Sequence, residues 1–388
     1  MPPIPLTEPT EEQGIVLLQG GFRLFFPLAA LYALIGIGLW IFLLTGTLTL
    51  PLAFQPLDWH IHEMLYGFIG AAVAGFLLTA VPNWTGMAPM AGWRLGLLGG
   101  LWLLGRLAVT LGGDLDWMIV AAADVAFPTL LVLMIARDVV RADNSRNYIL
   151  LVILALFPVG ALLFHLEGGN HMEMGQQIGL YSIVFLLSIV GGRVVPNFTG
   201  NWLARYGGPN VRAFGTIDIL ALGTTFLGAI HDIALAEHPL GHWLLVFAGF
   251  LHLLRLSGWQ GWRALSEPIV WVLHLGYLWL AVGLVFLGLS GVFEDVPRAG
   301  AMHALTAGAM ATMIIAIMSR AILGHSGREI RAARFTVFAY ILLTVGTILR
   351  IVAAWVPGLL HASAGIWMLA FVLFLVVYLP VVTQPRAR

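Results

Sequence analysis

The chain has 388 residues, of which 60% are hydrophobic and only 10% are charged, and its mean hydropathy is +0.93. A soluble domain carries about 25% charged residues, so most of this chain cannot face water. Its formal charge is zero, which gives no indication of a nucleic-acid partner. The absence of cysteine excludes disulfides, thiolate zinc sites, iron–sulfur clusters and cysteine nucleophiles, so any metal must be held by His, Met, Asp or Glu.

Apolar runs of about 20 residues, each long enough to cross a bilayer, alternate with Gly, Pro and charged clusters. They lack the period of two that the strands of a membrane barrel show. We therefore predict an all-α integral membrane protein with a single twelve-helix domain over residues 21–383 and short cytoplasmic tails at 1–20 and 384–388. The predicted helices cover 24–45, 60–82, 94–112, 116–136, 147–166, 175–196, 212–231, 239–257, 268–290, 299–322, 334–355 and 360–382.

Arginines in the loops orient these helices. The loops that follow even-numbered helices hold most of the loop arginines, whereas the opposite loops hold acidic residues and a single arginine, Arg298. The positive-inside rule then predicts a multi-pass protein of the bacterial inner membrane with both termini in the cytoplasm. The arginines on the predicted cytoplasmic side are Arg94, Arg137, Arg141, Arg146, Arg205, Arg212, Arg263, Arg328, Arg331 and Arg334.

A short motif recurs at the ends of even-numbered helices. Residues 79–86 (TAVPNWTG) close helix two and residues 193–200 (RVVPNFTG) close helix six, while 320–327 (RAILGHSG) close helix ten with a weaker match. Because the copies are four helices apart, we predict three four-helix units around a pseudo-threefold axis. Ordinary helix-stop chemistry with Pro, Asn and Gly is the alternative.

Three histidines share the predicted periplasmic side. His60 and His62 open helix two, and His303 opens helix ten. Two imidazoles from different helices are the ligands of a b-type haem. Since residues two apart on a helix point about 200° apart, His60 and His62 cannot both face one iron. Either one of them is a loop residue, or each serves a different cofactor; the alternative is that one caps the helix or binds water.

A second group of histidines lies towards the cytoplasm. His252 near the end of helix eight and His274 near the start of helix nine come to nearly equal height across a hairpin, and His325 ends helix ten. Imidazole suits copper, iron or zinc, so these three are predicted to bind a metal or haem. Alternatively, His252 and His274 hydrogen-bond to each other or to a backbone carbonyl.

Two arginines fall inside predicted helices, where an unpaired charge is costly. Arg106 in helix three comes to about the depth of Asp124 in helix four, so an ion pair between them is expected. Arg350 in helix eleven has no obvious acidic neighbour. A haem propionate would satisfy it, as would a helix end rich in carbonyl groups. We predict that both arginines, together with His60, His62 and His303, line the cofactor site.

Seven segments, in order along most of the chain, together resemble the NnrS family. They are 21–26 (GFRLFF), 59–67 (WHIHEMLYG), 80–86 (AVPNWTG), 191–200 (GGRVVPNFTG), 252–256 (HLLRL), 303–310 (HALTAGAM) and 318–328 (MSRAILGHSGR).

The resemblance implies a membrane protein with haem b (one or two) and copper that takes part in the bacterial response to nitric oxide, often alongside denitrification. The predicted arrangement is also similar, at the level of the fold, to the catalytic subunit of haem–copper oxidases, which does not by itself define a function. We expect a protein that binds or turns over nitric oxide, with quinol as a candidate electron donor. The alternatives are a non-enzymatic nitric oxide sensor, scavenger or haem/copper carrier and, more distantly, a transporter.

Overall fold

The computed structural model describes residues 14–167, 173–235 and 238–387. Within these ranges twelve helices are long and apolar enough to cross a membrane, which confirms the predicted all-α membrane fold. The helices are α1 (Gly21–Leu44), α2 (Pro56–Thr85), α3 (Trp93–Leu111), α4 (Trp117–Arg141), α5 (Ser145–Leu166), α6 (Glu173–Arg205), α7 (Thr216–Ala234), α8 (Pro239–Ser257), α9 (Pro268–Ser290), α10 (Arg298–His325), α11 (Arg334–Val352) and α12 (Pro357–Val382).

The recurring motif ends α2 but not α6. Gly86 adopts a left-handed conformation (φ 70°) directly after α2, and Pro89 then prevents the helix from resuming. The sequence predicts that α6 also ends at its copy of the motif, yet α6 continues to Arg205. The reason is local: Gly200 stays helical, and the next proline, Pro209, comes only nine residues later.

Contacts between the helices repeat every four helices. In each of the units α1–α4, α5–α8 and α9–α12, the first helix packs on the second and the third packs on the fourth. The fourth helix of each unit also packs on the first helix of the next, and α12 packs on α1 to close the ring. This cyclic pattern supports the three-unit arrangement predicted from the recurring motif.

The second helix of each unit lies at the centre of the ring. α2, α6 and α10 are the most buried spans, and they line an apolar cavity. Each contains one stretch of π-helix, at Glu63–Ile69, Leu187–Gly191 and Ala304–Met310. Because π-helix is rare and is frequent at functional sites, its presence in all three helices supports the repeat and directs attention to these segments.

Both ends of the domain meet on one face of the bundle. Arg23 at the start of α1 donates through Nη1 to the carbonyl oxygens of Val382 and Gln384, each at 2.7 Å. An even number of spans requires this arrangement. Of the predicted N-terminal tail, residues 1–13 lie outside the described residues, and Val16–Leu18 forms a 3₁₀ turn before α1.

Candidate functional site

His60 and His62 lie in the first turns of α2 and face different neighbours. The His60 ring stacks on Trp40 of α1 with ring centroids 4.6 Å apart and planes 13° apart. The His62 ring instead packs on Phe54 and Phe164, with centroids 5.2 and 5.0 Å away. Both histidines are helical, so their rings point to different sites, as their two-residue spacing predicts.

The His60 side of α2 borders an apolar cleft between α1, α2, α10, α11 and α12. His60, His303 and Arg350 all line this space, which we call the histidine cleft. Most of its lining is apolar, and these three side chains supply the charged and imidazole groups. An apolar lining with a few polar groups is typical of a site for a small molecule or cofactor.

The two imidazoles of the cleft keep nitrogens free for a ligand. Nδ1 of His60 is buried and has no hydrogen-bond partner. Nδ1 of His303 lies 2.7 Å from the carbonyl oxygen of Ala299, so it carries the hydrogen and donates it. This bond fixes the ring and leaves the lone pair on Nε2, which is the usual way in which a protein prepares a histidine to bind a metal.

Arg350 supplies the positive charge of the cleft. No carboxylate among the described residues lies within 4.0 Å of its guanidinium group, in contrast to the other arginine predicted to be buried, Arg106. An uncompensated cation on a membrane-spanning helix is unfavourable unless an anion or water reaches it. Two histidines on facing helices and one unpaired arginine are therefore a donor set that fits a haem, with a propionate near Arg350.

The His62 side of α2 borders a group of ionic side chains, which we call the charged cluster: His62, Glu63, Arg106, Asp124 and His165. All five residues are buried, at 4% exposure or less. Arg106 donates through Nη1 to Oε1 of Glu63 at 2.6 Å and through Nη2 to Oδ1 of Asp124. The ion pair between Arg106 and Asp124 that the sequence predicted is thereby confirmed.

Two imidazoles approach the same carboxylate oxygen in this cluster. Nε2 of His62 lies 3.0 Å from Oδ2 of Asp124, and Nε2 of His165 lies 2.9 Å from it. On its other side, Nδ1 of His62 lies 3.0 Å from Oε1 of Glu63. Two imidazole nitrogens and one carboxylate oxygen, all within 4.8 Å of one another, are an arrangement able to hold a metal ion.

Aromatic side chains enclose the charged cluster. Tyr32 of α1 donates its hydroxyl hydrogen to Oε2 of Glu63. Tyr66 packs on the His62 ring at 5.0 Å and donates to the carbonyl oxygen of Gly175 at 2.7 Å, which ties the cluster to α6. Rigid neighbours of this kind keep the polar groups in place and limit the access of water.

The five residues predicted to bind cofactors thus divide between two sites. His60, His303 and Arg350 lie in the histidine cleft, whereas His62 and Arg106 lie in the charged cluster. From the sequence, His165 is only a reserve ligand at an outer helix end, and Asp124 is only an ion-pair partner. Their signal was depth: His165 ends α5 on the side where α4 carries Asp124.

The three histidines predicted as metal ligands towards the other face have separate surroundings. His252 lies between the hydroxyl groups of Thr225, at 3.0 Å from Nε2, and Tyr277, at 2.8 Å from Nδ1. Nε2 of His274 lies 2.8 Å from Thr199, and the exposed His325 is next to the ring of Phe22. Metal binding by His252, His274 and His325 stays a prediction that depends on residue types alone.

Fold and site together define a multi-pass membrane protein with two histidine-containing sites on either side of one central helix. The family model described as NnrS protein matches residues 16–386. The chain therefore belongs to the NnrS family, as the sequence motifs predicted. A search of curated proteins finds no match to the chain.

Proposed function

We propose that this member of the NnrS family is a haem- and copper-containing protein of the bacterial inner membrane that binds or turns over nitric oxide. Membership of the family supports a role in the nitric oxide response. The loop arginines support an orientation with both termini in the cytoplasm. Quinol, which dissolves in the same bilayer, is the proposed electron donor if the protein reduces nitric oxide.

The histidine cleft is the observation that carries this proposal. His60 from α2 and His303 from α10 would hold the haem iron, and Arg350 would bind a propionate. The unpartnered Nδ1 of His60 and the hydrogen-bonded Nδ1 of His303 are consistent with these roles. A haem bound here would supply an iron that changes oxidation state and binds nitric oxide.

The apolar interior supports a small uncharged ligand. Ile69 lines both the histidine cleft and the apolar cavity enclosed by α2, α6 and α10. The side chains that line that central cavity include Phe76, Leu187 and Met313 and carry almost no polar surface. Nitric oxide is small and apolar, so it would partition into such a space more readily than an ion or a sugar.

A second function is favoured by one detail of the cleft. If His60 and His303 both bind the iron, the haem would have no open coordination position, and the protein would then fit a haem carrier better than an enzyme. If nitric oxide displaces one histidine, the iron becomes a site of binding or turnover. The two cases differ in whether the spectrum of the reduced protein changes with nitric oxide.

The test compares single variants of the purified full chain by reduced-minus-oxidised spectra, with and without nitric oxide. We expect a b-type haem spectrum that His60→Ala or His303→Ala reduces at least about tenfold, because each removes one of two iron ligands. The matched variant His62→Ala should retain haem, since His62 faces the charged cluster. His361→Ala, an exposed histidine, controls for the general effect of losing an imidazole.

Each result has a defined meaning. Haem that responds to nitric oxide, together with quinol-dependent loss of nitric oxide, would support the enzyme. Haem that responds without such loss would support a sensor or scavenger, and haem that does not respond would support the carrier. A folded, colourless wild-type protein would overturn the haem proposal altogether and make a transporter the better interpretation.

A further inference from the structure

We infer that the charged cluster is a binding site for a first-row transition-metal ion, with His62, His165 and Asp124 as ligands and Glu63 as the residue that orients His62. This inference deepens the proposed function, because it assigns ligands to the metal expected beside the haem. The identification of this metal as copper rests on the proposed function. The donor geometry stands whether or not a haem occupies the histidine cleft.

The three donor atoms come from three helices and converge. α2 supplies His62, α4 supplies Asp124 and α5 supplies His165, with both Nε2 atoms about equally far, 3.0 and 2.9 Å, from Oδ2 of Asp124. Metal–nitrogen and metal–oxygen bonds of about 2.0–2.2 Å place the donors around one ion roughly 3–3.5 Å apart. The two nitrogen–oxygen distances are close to that range, and all three donor atoms lie within 4.8 Å of one another.

The tautomer of His62 provides an independent indication. When Nδ1 of His62 donates to Oε1 of Glu63, 3.0 Å away, Nε2 of the neutral ring carries the lone pair. That Nε2 atom lies 3.0 Å from Oδ2 of Asp124, and His62 is fully buried. In this tautomer both facing atoms are acceptors. Two acceptors in contact repel each other unless a cation lies between them.

The charge of the cluster leads to the same conclusion. If both carboxyl groups are ionised, Glu63 and Asp124 carry two negative charges against the one positive charge of Arg106, so with neutral histidines one negative charge is uncompensated. A buried uncompensated charge is costly because the protein interior solvates it poorly. A metal cation would remove this excess. A proton on His62 or His165 would do so as well, and the experiment must separate the two.

The donor set narrows the choice of metal. Two imidazoles and a carboxylate suit copper, iron and zinc, whereas magnesium and calcium prefer oxygen ligands alone. Three protein ligands leave a coordination position open for a small molecule. The Glu63–His62 contact supplies the outer hydrogen bond that usually accompanies a histidine ligand.

The experiment measures metal binding to the full chain after chelator treatment, with Cu²⁺, Fe²⁺ and Zn²⁺ added separately and the bound metal determined by mass spectrometry. We expect about one tightly bound ion per wild-type chain and an affinity at least about tenfold lower in His165→Gln. His242→Gln is the matched control. His242 is also a buried histidine near an aspartate, with Nδ1 4.0 Å from Oδ1 of Asp232, but it lies outside the cluster.

A second variant keeps the test decisive if His165→Gln does not fold. Glu63→Gln retains an acceptor for His62 but removes a charge, and we expect it to weaken metal binding about 10- to 100-fold.

The inference is overturned if the wild-type chain binds none of the three ions, in which case the cluster holds a proton. It is also overturned if both variants bind metal as tightly as His242→Gln. Haem spectra of the same samples separate the two proposals: haem without metal contradicts this site alone, and metal without haem contradicts the histidine cleft alone.

Discussion

The histidine cleft and the charged cluster lie on opposite sides of α2, which contributes His60 to the cleft and His62 to the cluster. The two sites differ in how their charges are compensated. In the cleft, Arg350 faces a mostly apolar space, and no carboxylate of the described residues is within 4.0 Å. In the cluster, Arg106 contacts both Glu63 and Asp124. The cleft thus needs an external anion, whereas the cluster supplies its own.

This difference indicates different relations between ligand and fold. The cluster joins α2, α3, α4 and α5 through internal ion pairs, so it contributes to folding before any metal binds. The cleft has few internal polar contacts, so its side chains gain partners only when a ligand enters. Arg106, with two carboxylates, is therefore part of the framework around the proposed metal site, whereas the partly buried Arg350 lies where a ligand would supply the anion.

The largest expected effect separates the two arginines. Arg106→Met removes the guanidinium group that contacts both buried carboxylates, and breaking such a pair costs about 3–5 kcal/mol in the free energy of unfolding. Arg350→Met removes a charge that contacts no carboxylate of the described residues, so it should not destabilise the haem-free chain. Thermal unfolding in detergent measures both variants against wild type.

Haem content completes the contrast between the arginines. Arg350→Met should weaken haem retention, because a propionate loses its cation, while the stability of the haem-free protein is unaffected. Equal destabilisation of the haem-free chain by both substitutions would show that Arg350 has an internal partner, and the distinction between the two regions would then be wrong.

A smaller effect tests the wall of the charged cluster. A Cβ atom at Gly179 of α6 would collide with the hydroxyl of Tyr66, which packs on the His62 ring. Gly179→Ala should therefore destabilise the protein by about 1–3 kcal/mol, as overpacking of a core usually does, and weaken metal binding without loss of haem. Gly38→Ala in α1, where a Cβ atom meets nothing within 4 Å, is the control. Unchanged metal affinity in Gly179→Ala would contradict this coupling.

The sequence was sufficient to predict the fold because membrane helices depend on local composition. Length and hydropathy gave twelve spans, and the recurring motif gave the three units, whose contacts the structure repeats. The predicted end of α6 was wrong because the motif by itself does not stop a helix. It needs the glycine of the motif to turn left-handed, as Gly86 does after α2 and Gly327 does after α10, whereas Gly200 stays helical.

The division into two sites was only partly predictable. Helical geometry showed that His60 and His62 face apart, and similar depth paired Arg106 with Asp124. Helical geometry and depth do not show that α5 brings His165 to the same carboxylate. That contact depends on how α5 packs on α4 of the preceding unit. Nor could spacing assign Glu63 to His62, since adjacent residues seldom share a face and here a π segment begins between them.

The smallest expected effect concerns the stacked pair in the cleft. Trp40 lies parallel to the His60 ring at 4.6 Å and so restricts its rotation. Aromatic pairs contribute about 0.5–1.5 kcal/mol beyond their buried area, so Trp40→Phe, which keeps part of the overlap, should increase haem loss by up to about tenfold. Transfer of haem to an apoprotein acceptor gives the rate, and Trp93→Phe, at an exposed tryptophan outside the cleft, is the control. Because His62 points away from Trp40, metal affinity should be the same in both variants, and a parallel loss of metal would mean that α2 transmits changes between its two faces.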